Sequence, residues 1–246
     1  MTSPKLLRIA VFYLIALVFA YFFRYAQPEW YDTLDLPAGL TIVRNLLSAL
    51  GPWLGAFLVT ILLRPERKVS LFGSGRLPSL IMIAVPVVVF TLFGASNSDG
   101  LNEYYYGLIV GLLMAVYCLF EESGWRGYLQ DELRGMNPFL RYVVIGVMWY
   151  AWHLTFLGSS NLVNELIILA ILIGASWGIG QAVEHTKSLM VAACFHMIGN
   201  LVALSSLLKS CYTFSERMLI SGICVLIWIL ILMSWEKLGR SRSVEA

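Results

Sequence analysis

The sequence predicts an all-α polytopic membrane protein, with about eight transmembrane helices enclosing a polar intramembrane cavity. Three observations lead there. Hydrophobic residues make up 59% of the 246-residue chain and charged residues only 13%, with a mean hydropathy of +0.77; a soluble domain carries about 25% charge. The apolar residues gather into eight runs, each near the roughly 20 residues that cross about 30 Å of hydrocarbon. The cationic residues between those runs concentrate on alternate loops.

The runs are Leu6–Phe23, Leu46–Leu63, Leu77–Ala95, Tyr104–Phe120, Tyr142–Leu157, Leu166–Val183, Ser188–Leu208 and Met218–Trp235. The first has Arg8 near one end, where a long side chain can reach the interface. It is followed by Arg24-Tyr25-Ala26-Gln27-Pro28 rather than by a small-residue cleavage site, so it is taken as a span and not as a leader. The fifth is short, which predicts a helix that begins earlier, near Pro138. Pro52 and Pro86 lie inside runs and predict kinks. Gly107-x-x-x-Gly111 and Gly174-x-x-x-Gly178 offer small faces for close helix packing. The whole chain, 1–246, reads as a single integral membrane domain, and its motif-bearing core covers about 104–208.

Loop charge sets the orientation. Lys5, Arg8, Arg64, Arg67, Lys68, Arg76, Arg134, Arg141, Lys187, Lys237, Arg240 and Arg242 fall on the side of the N-terminus. Arg24, Arg44, Lys209 and Arg217 fall on the other. Glu29, Asp32 and Asp35 share the first loop with Arg24 and Arg44. Twelve against four is a positive-inside bias. It predicts cytoplasmic termini and an even number of spans, in what reads as a bacterial inner membrane. The net charge of +2, with no basic stripe interleaved with aromatics and no glycine-rich phosphate loop, excludes nucleic acid as a partner. Cys118, Cys194, Cys211 and Cys224 lie in or near apolar runs with no C-x-x-C pairing and read as packing residues. Cys118 is one turn before Glu122.

A few polar residues interrupt the runs, at helical spacings. The fourth run ends in Glu121-Glu122-Ser123-Gly124-Trp125-Arg126. The two carboxylates point about 100° apart on a helix, and Arg126 follows Glu122 by four in the favourable acid-before-base order. Glu122 is therefore expected to pair with Arg126, leaving Glu121 free to face a cavity as a general base. The alternative is a helix end at the interface with a structural ion pair. The fifth run carries Trp149 and His153, and the seventh His196 and Asn200, each pair at i, i+4. Alone, such a His or Asn reads as interhelical hydrogen bonding; His185, beside Glu184 and Lys187, reads as surface. Together, two carboxylates, an Arg, two His and an Asn on three otherwise uncharged runs predict a hydrophilic pocket in the bilayer. Such a pocket holds what hydrolysis there needs: a base, oxyanion donors and water.

These residues resemble the motifs of the CAAX protease and bacteriocin-processing (Abi) family of intramembrane proteases: E-E-x-x-x-R, then F-x-x-x-H, then H-x-x-x-N. Here they read Glu121-Glu122…Arg126, Trp149…His153 and His196…Asn200, in order and on separate predicted spans, over about 80 of the 246 residues. Trp149 departs from the usual Phe; an aromatic is kept, so the departure bears on shape rather than chemistry. The resemblance implies an endopeptidase acting on peptide or membrane-protein substrates, lipidated or membrane-associated, in the bilayer. By analogy Glu121 would activate water, His153 would position it or bind a metal, His196 and Asn200 would hold the oxyanion, and Glu122 and Arg126 would support. A metal-free version needs only Glu and donors. A zinc version could use Glu121, His153 and His196 as ligands with one position open, although no H-E-x-x-H is present. Two other classes keep the same residues: a non-catalytic immunity or binding protein, and a proton-coupled transporter, since intramembrane Glu and His also build proton relays.

Overall fold

The computed structural model describes residues 3–26 and 44–240, and the acidic residues Glu29, Asp32 and Asp35 lie outside them. Helix α1 (Ser3–Ala20) passes into a π-turn over Tyr21–Ala26. Then come α2 (Arg44–Leu63), α3 (Arg76–Phe93) and α4 (Glu103–Gly124), the last continuing through a π segment at Trp125–Leu129 into Gln130–Glu132. Next are α5 (Pro138–His153), α6 (Leu162–Thr186) and α7 (Leu189–Gly199), which ends in a π-turn at Asn200–Leu204. Two short helices, α8 (Ser206–Cys211) and α10 (Trp235–Arg240), flank the long α9 (Phe214–Met233).

Helix starts follow the sequence. Asn102 and Asn137 accept hydrogen bonds from the first free N–H groups of α4 and α5, with Pro138 at the first turn, where its missing N–H costs nothing. Thr213 and Glu216 form a capping box on α9.

Six described helices are long and apolar enough to cross a membrane: Pro4–Ala26, Leu46–Leu63, Arg76–Phe93, Glu103–Glu132, Leu162–Thr186 and Phe214–Met233. The expected fifth and seventh spans exist as helices but are shorter, Pro138–His153 and Leu189–Leu204. The fifth does begin at Pro138. The fourth run is longer than expected: its helix does not stop after Phe120 but runs on to Glu132. Glu121 and Glu122 therefore sit within a helix of 30 residues and not at its end.

Helix α4 is the hub, packed by α2, α3 and α7. Small residues set the closest approaches. A Cβ on Gly107 would lie 2.3 Å from the Phe90 carbonyl oxygen of α3, and one on Gly124 would lie 2.6 Å from Pro52 Cβ of α2. Gly111 meets Val87 in the same seam. The second glycine pair behaves differently, because Gly174 and Gly178 have no neighbour in reach of a Cβ; they leave space rather than close it. Pro86 removes the N–H that would bond the Met82 carbonyl one turn earlier. The indole Nε1–H of Trp228, on α9, donates to that carbonyl at 2.9 Å.

One end of the bundle collects charge. Arg8 forks onto Glu132 at 2.7 and 3.0 Å. Asp131 accepts from the Lys68 and Val69 backbone N–H groups and from Arg134, and Glu184 gathers Arg134, Arg141 and Lys187. The segment after α2 folds back onto the α6–α7 turn, where Ser70 and Ser188 form a parallel bridge. Gly73 there has φ +58°, and a Cβ would fall 2.1 Å from the Thr186 carbonyl oxygen, so only glycine fits. The N-terminal, second, fourth and sixth connections thus share an end, as the loop charges predict. All four cysteines are free and buried, and His185 is exposed on the last turn of α6.

Replacing Trp228 by Phe should lower stability by about 1–3 kcal/mol, the cost of an orphaned buried carbonyl. Restoring the backbone donor with Pro86→Ala should shrink that loss. Thermal unfolding of the two single variants and the double variant in detergent checks this, and equal losses in both backgrounds would refute the pairing.

Candidate active site

The three motifs meet. In α4, Glu121 and Glu122 are both fully buried, as is Arg126 in the π segment. Arg126 Nη1 donates to Glu122 Oε1 at 2.8 Å, which is the expected i, i+4 pair. The arginine is fixed on two other sides: its Nη2 reaches Ser176 Oγ of α6 at 3.4 Å, and its guanidinium lies 4.4 Å from the Trp149 ring centre.

His196, on α7, stands between the carboxylates. Its Nδ1 is 2.8 Å from Glu122 Oε1 and its Nε2 is 3.9 Å from Glu121 Oε2. Glu122 Oε1 thus takes both Arg126 and His196, while Glu122 Oε2 has no hydrogen-bond partner among the described residues. Asn200 opens the π-turn at the end of α7, and its Nδ2 points at Cys118 Sγ, 3.5 Å away. Arg217 of α9 donates to the Leu201 and Val202 carbonyls at 3.1 Å, holding the carbonyls of that turn. His153 closes α5. Its Nδ1 is 2.8 Å from the Trp149 carbonyl oxygen; with that nitrogen as donor, Nε2 is left as the acceptor.

Glu121 is not free, contrary to expectation. Trp149 Nε1–H donates to Glu121 Oε2 at 2.9 Å, and Arg24 Nη2 lies 3.5 Å from Oε1. The Trp149 contact corrects the reading of that position as a matter of shape alone: Phe has no N–H to offer, so Trp changes the chemistry around the carboxylate. Arg24 was legible only as a loop cation, because nothing in local spacing ties it to a residue 97 positions away.

Glu121 and His196 share a depth. A Cβ on Gly127 would touch Leu189 Cδ2 at 3.1 Å, so the start of α7 is level with Gly127. Glu121 is six residues up one helix and His196 seven up the other, about 9 and 10 Å at 1.5 Å per residue.

The space beside the centre is an apolar-walled groove of 370 Å³ between α6 and α7, which reaches Trp149 and His196 and includes Leu172, Ala175, Gly178 and Phe195. The absent Cβ atoms at Gly178 help to open it. The polar groups of the centre are packed against one another, and this groove beside them is apolar. The larger charged cleft, 540 Å³, is at the other end of α4 among Arg8, Arg64, Lys68, Glu132 and Arg134. Among the described residues no group of three His, Cys, Asp or Glu side chains is placed to hold one metal ion, the set Glu121, His153 and His196 included. Glu121 and His196 Nε2 do face each other, with His196 Nδ1 on Glu122 and His153 Nδ1 on a backbone carbonyl.

Comparison with known proteins follows this geometry. Residues 103–202 match the family model described as type II CAAX prenyl endopeptidase, Rce1-like. That segment runs from the start of α4 to the π-turn of α7 and holds all three motifs, so the resemblance drawn from them is shown. The chain is also similar to CAAX prenyl protease 2 of the archaeon Methanococcus maripaludis, 26% identical over 145 residues, which is 51% of this chain and 52% of that protein. The chain spans about half the length of this curated relative.

Replacing Trp149 by Phe keeps the ring and removes the donor. It should cost about 1.5–3 kcal/mol, the worth of a hydrogen bond to a charged group, read as a lower unfolding temperature. An unchanged midpoint would show that Trp149 contributes only its ring.

Proposed function

We propose that the chain is an intramembrane endopeptidase that hydrolyses a peptide bond in lipidated or membrane-associated peptides. The observation that carries this reading is the pair of adjacent, fully buried carboxylates joined by His196, inside the segment that matches the family. A cluster so costly to bury is reasonable where it does chemistry.

In this reading Glu121 is the general base. A water at about 2.8 Å from both Glu121 Oε2 and His196 Nε2, an ordinary hydrogen-bond length, fits the 3.9 Å between those atoms. Glu121 takes a proton from that water as its oxygen attacks the substrate carbonyl, then returns the proton to the leaving amine. His196 keeps Nδ1 on Glu122 and turns Nε2 toward the water and the developing oxyanion, and the Asn200 amide is assigned as a further oxyanion donor. The Glu122–Arg126 pair fixes the ring. His153 offers its Nε2 to orient the water. The apolar groove beside His196 takes the aliphatic part of the substrate, and the charged end faces the cytoplasm with both termini. Each step uses protein groups alone; metal assistance, with zinc as the obvious ion, is a separate arm of the test.

Cleavage of lipidated and transmembrane peptides in liposomes decides. Glu121→Gln and His196→Ala should each reduce turnover at least about a hundredfold, the scale of losing a base or an oxyanion donor, in protein that still folds. Turnover by Glu121→Gln equal to wild type would overturn Glu121 as the base; no cleavage by wild type, with a cellular phenotype that persists in Glu121→Gln, would favour a binding or immunity role. Loss of activity to a chelator, restored by zinc, would assign a metal; chelator-insensitive turnover would assign the metal-free route.

A further inference from the structure

The segment that matches the family begins at residue 103, yet one cation at Glu121 comes from the first helix. Arg24 lies in the π-turn that extends α1. Its Nη2 is 2.8 Å from the Tyr117 hydroxyl and 3.5 Å from Glu121 Oε1. The Tyr117 hydroxyl thus accepts from the arginine. Tyr117 is one helical turn before Glu121, on the same face. The guanidinium is also seated on Trp152, 3.8 Å from the ring centre. That ring is held in turn by α1, because Trp152 Nε1–H donates to the Ala16 carbonyl at 3.0 Å. The Tyr13 hydroxyl donates to the Met148 carbonyl at 2.9 Å. Helix α1 is thereby fastened to α5 on the side from which Arg24 enters.

The charges make the need plain. Two adjacent carboxylates with no exposure must each meet a counter-charge. Arg126 serves Glu122. Among the described residues the other close donor to Glu121 is neutral, the indole N–H of Trp149, and the His196 imidazole stands off at 3.9 Å. Among the described residues Arg24 is the second guanidinium of the centre, one for each carboxylate. At 3.5 Å it is longer than a charge-assisted bond, and its 2.8 Å bond to the Tyr117 hydroxyl, one turn before Glu121, anchors it there.

We infer that Arg24 is a positioning residue of the catalytic centre, holding Glu121 in place as the base through its charge and through Tyr117, and thereby making the first helix part of the active site. The inference rests on the endopeptidase reading for its effect on turnover, while the pairing itself is independent of that reading.

The test combines turnover with a stability cycle in the full chain. Arg24→Gln should lower kcat about tenfold to a hundredfold, the rate equivalent of one charge-assisted hydrogen bond, with KM changed less than about twofold. Arg24→Lys should recover most of that loss, and millimolar guanidinium should partly restore Arg24→Gly. A wild-type kcat in folded Arg24→Gln, with Glu121→Gln inactive, would overturn the inference and leave the endopeptidase reading intact. Turnover that survives in Glu121→Gln would sink the assignment of Glu121 as the base instead. The cycle of Arg24→Gln, Glu121→Gln and the double variant, read as unfolding midpoints, then decides the pair even if no peptide is cleaved. A double variant no less stable than its weaker single variant supports the pairing, and strictly additive losses overturn it.

Discussion

Two carboxylates stand side by side on α4 with no exposure to solvent, and the surrounding bundle is arranged to answer them. An ionised group costs several kcal/mol to bury even after relaxation, unless it is paired and hydrogen-bonded. Because neighbouring residues on a helix point about 100° apart, one partner cannot serve both. The two are answered from opposite directions. Glu122 takes Arg126 from its own helix and His196 from α7; Glu121 takes Trp149 from α5 and Arg24 from the end of α1. Three elements, α1, α5 and α7, must therefore converge on the middle of α4, and close packing along it allows this. Gly107, Gly111 and Gly124 let α3 and α2 approach to backbone contact, and small side chains replace the apolar driving force that is missing between helices in lipid.

Departures from regular helix occur beside the polar groups of the centre, and two of them have partners for the carbonyls they free. The π segment at Trp125–Leu129 carries Arg126, and the π-turn at Asn200–Leu204 begins with Asn200. A wider turn re-aims side chains and frees carbonyls, and Arg217 covers two carbonyls of the second turn. Pro86 frees another, which Trp228 covers. In a medium without water, backbone groups released by an irregularity must be met by the protein itself, so these two distortions each commit a residue on a neighbouring helix. These commitments stiffen the core in which the site is set.

The contrast between the packed polar cluster and the apolar groove beside it bears on how the site works. His196 and Trp149 belong to both. A peptide with an aliphatic segment laid along α6 and α7 would meet the imidazole directly, and the carboxylates would be kept from bulk water until it arrived.

What could be read from the sequence was what helix geometry and the bilayer dictate locally. The all-helical class, the start of α5 at Pro138, the grouping of loop charges at one end and the Glu122–Arg126 pair all follow from residues close together in the chain. So did the recognition of Glu121, His153, His196 and Asn200 as one set, because their order and i, i+4 spacings are local properties. The tertiary structure decided the rest. It extended α4 to Glu132, since packing against α2, α3 and α7 carries a helix through a polar stretch that hydropathy alone would end. It showed two of the expected spans as shorter helices, packed Gly107 and Gly111 but left Gly174 and Gly178 open, and turned Trp149 from a shape into a donor. It also brought Arg24 across 97 residues to Glu121. A buried charge requires a counter-charge, and that much is legible in a sequence; which distant side chain supplies it depends on how the helices pack.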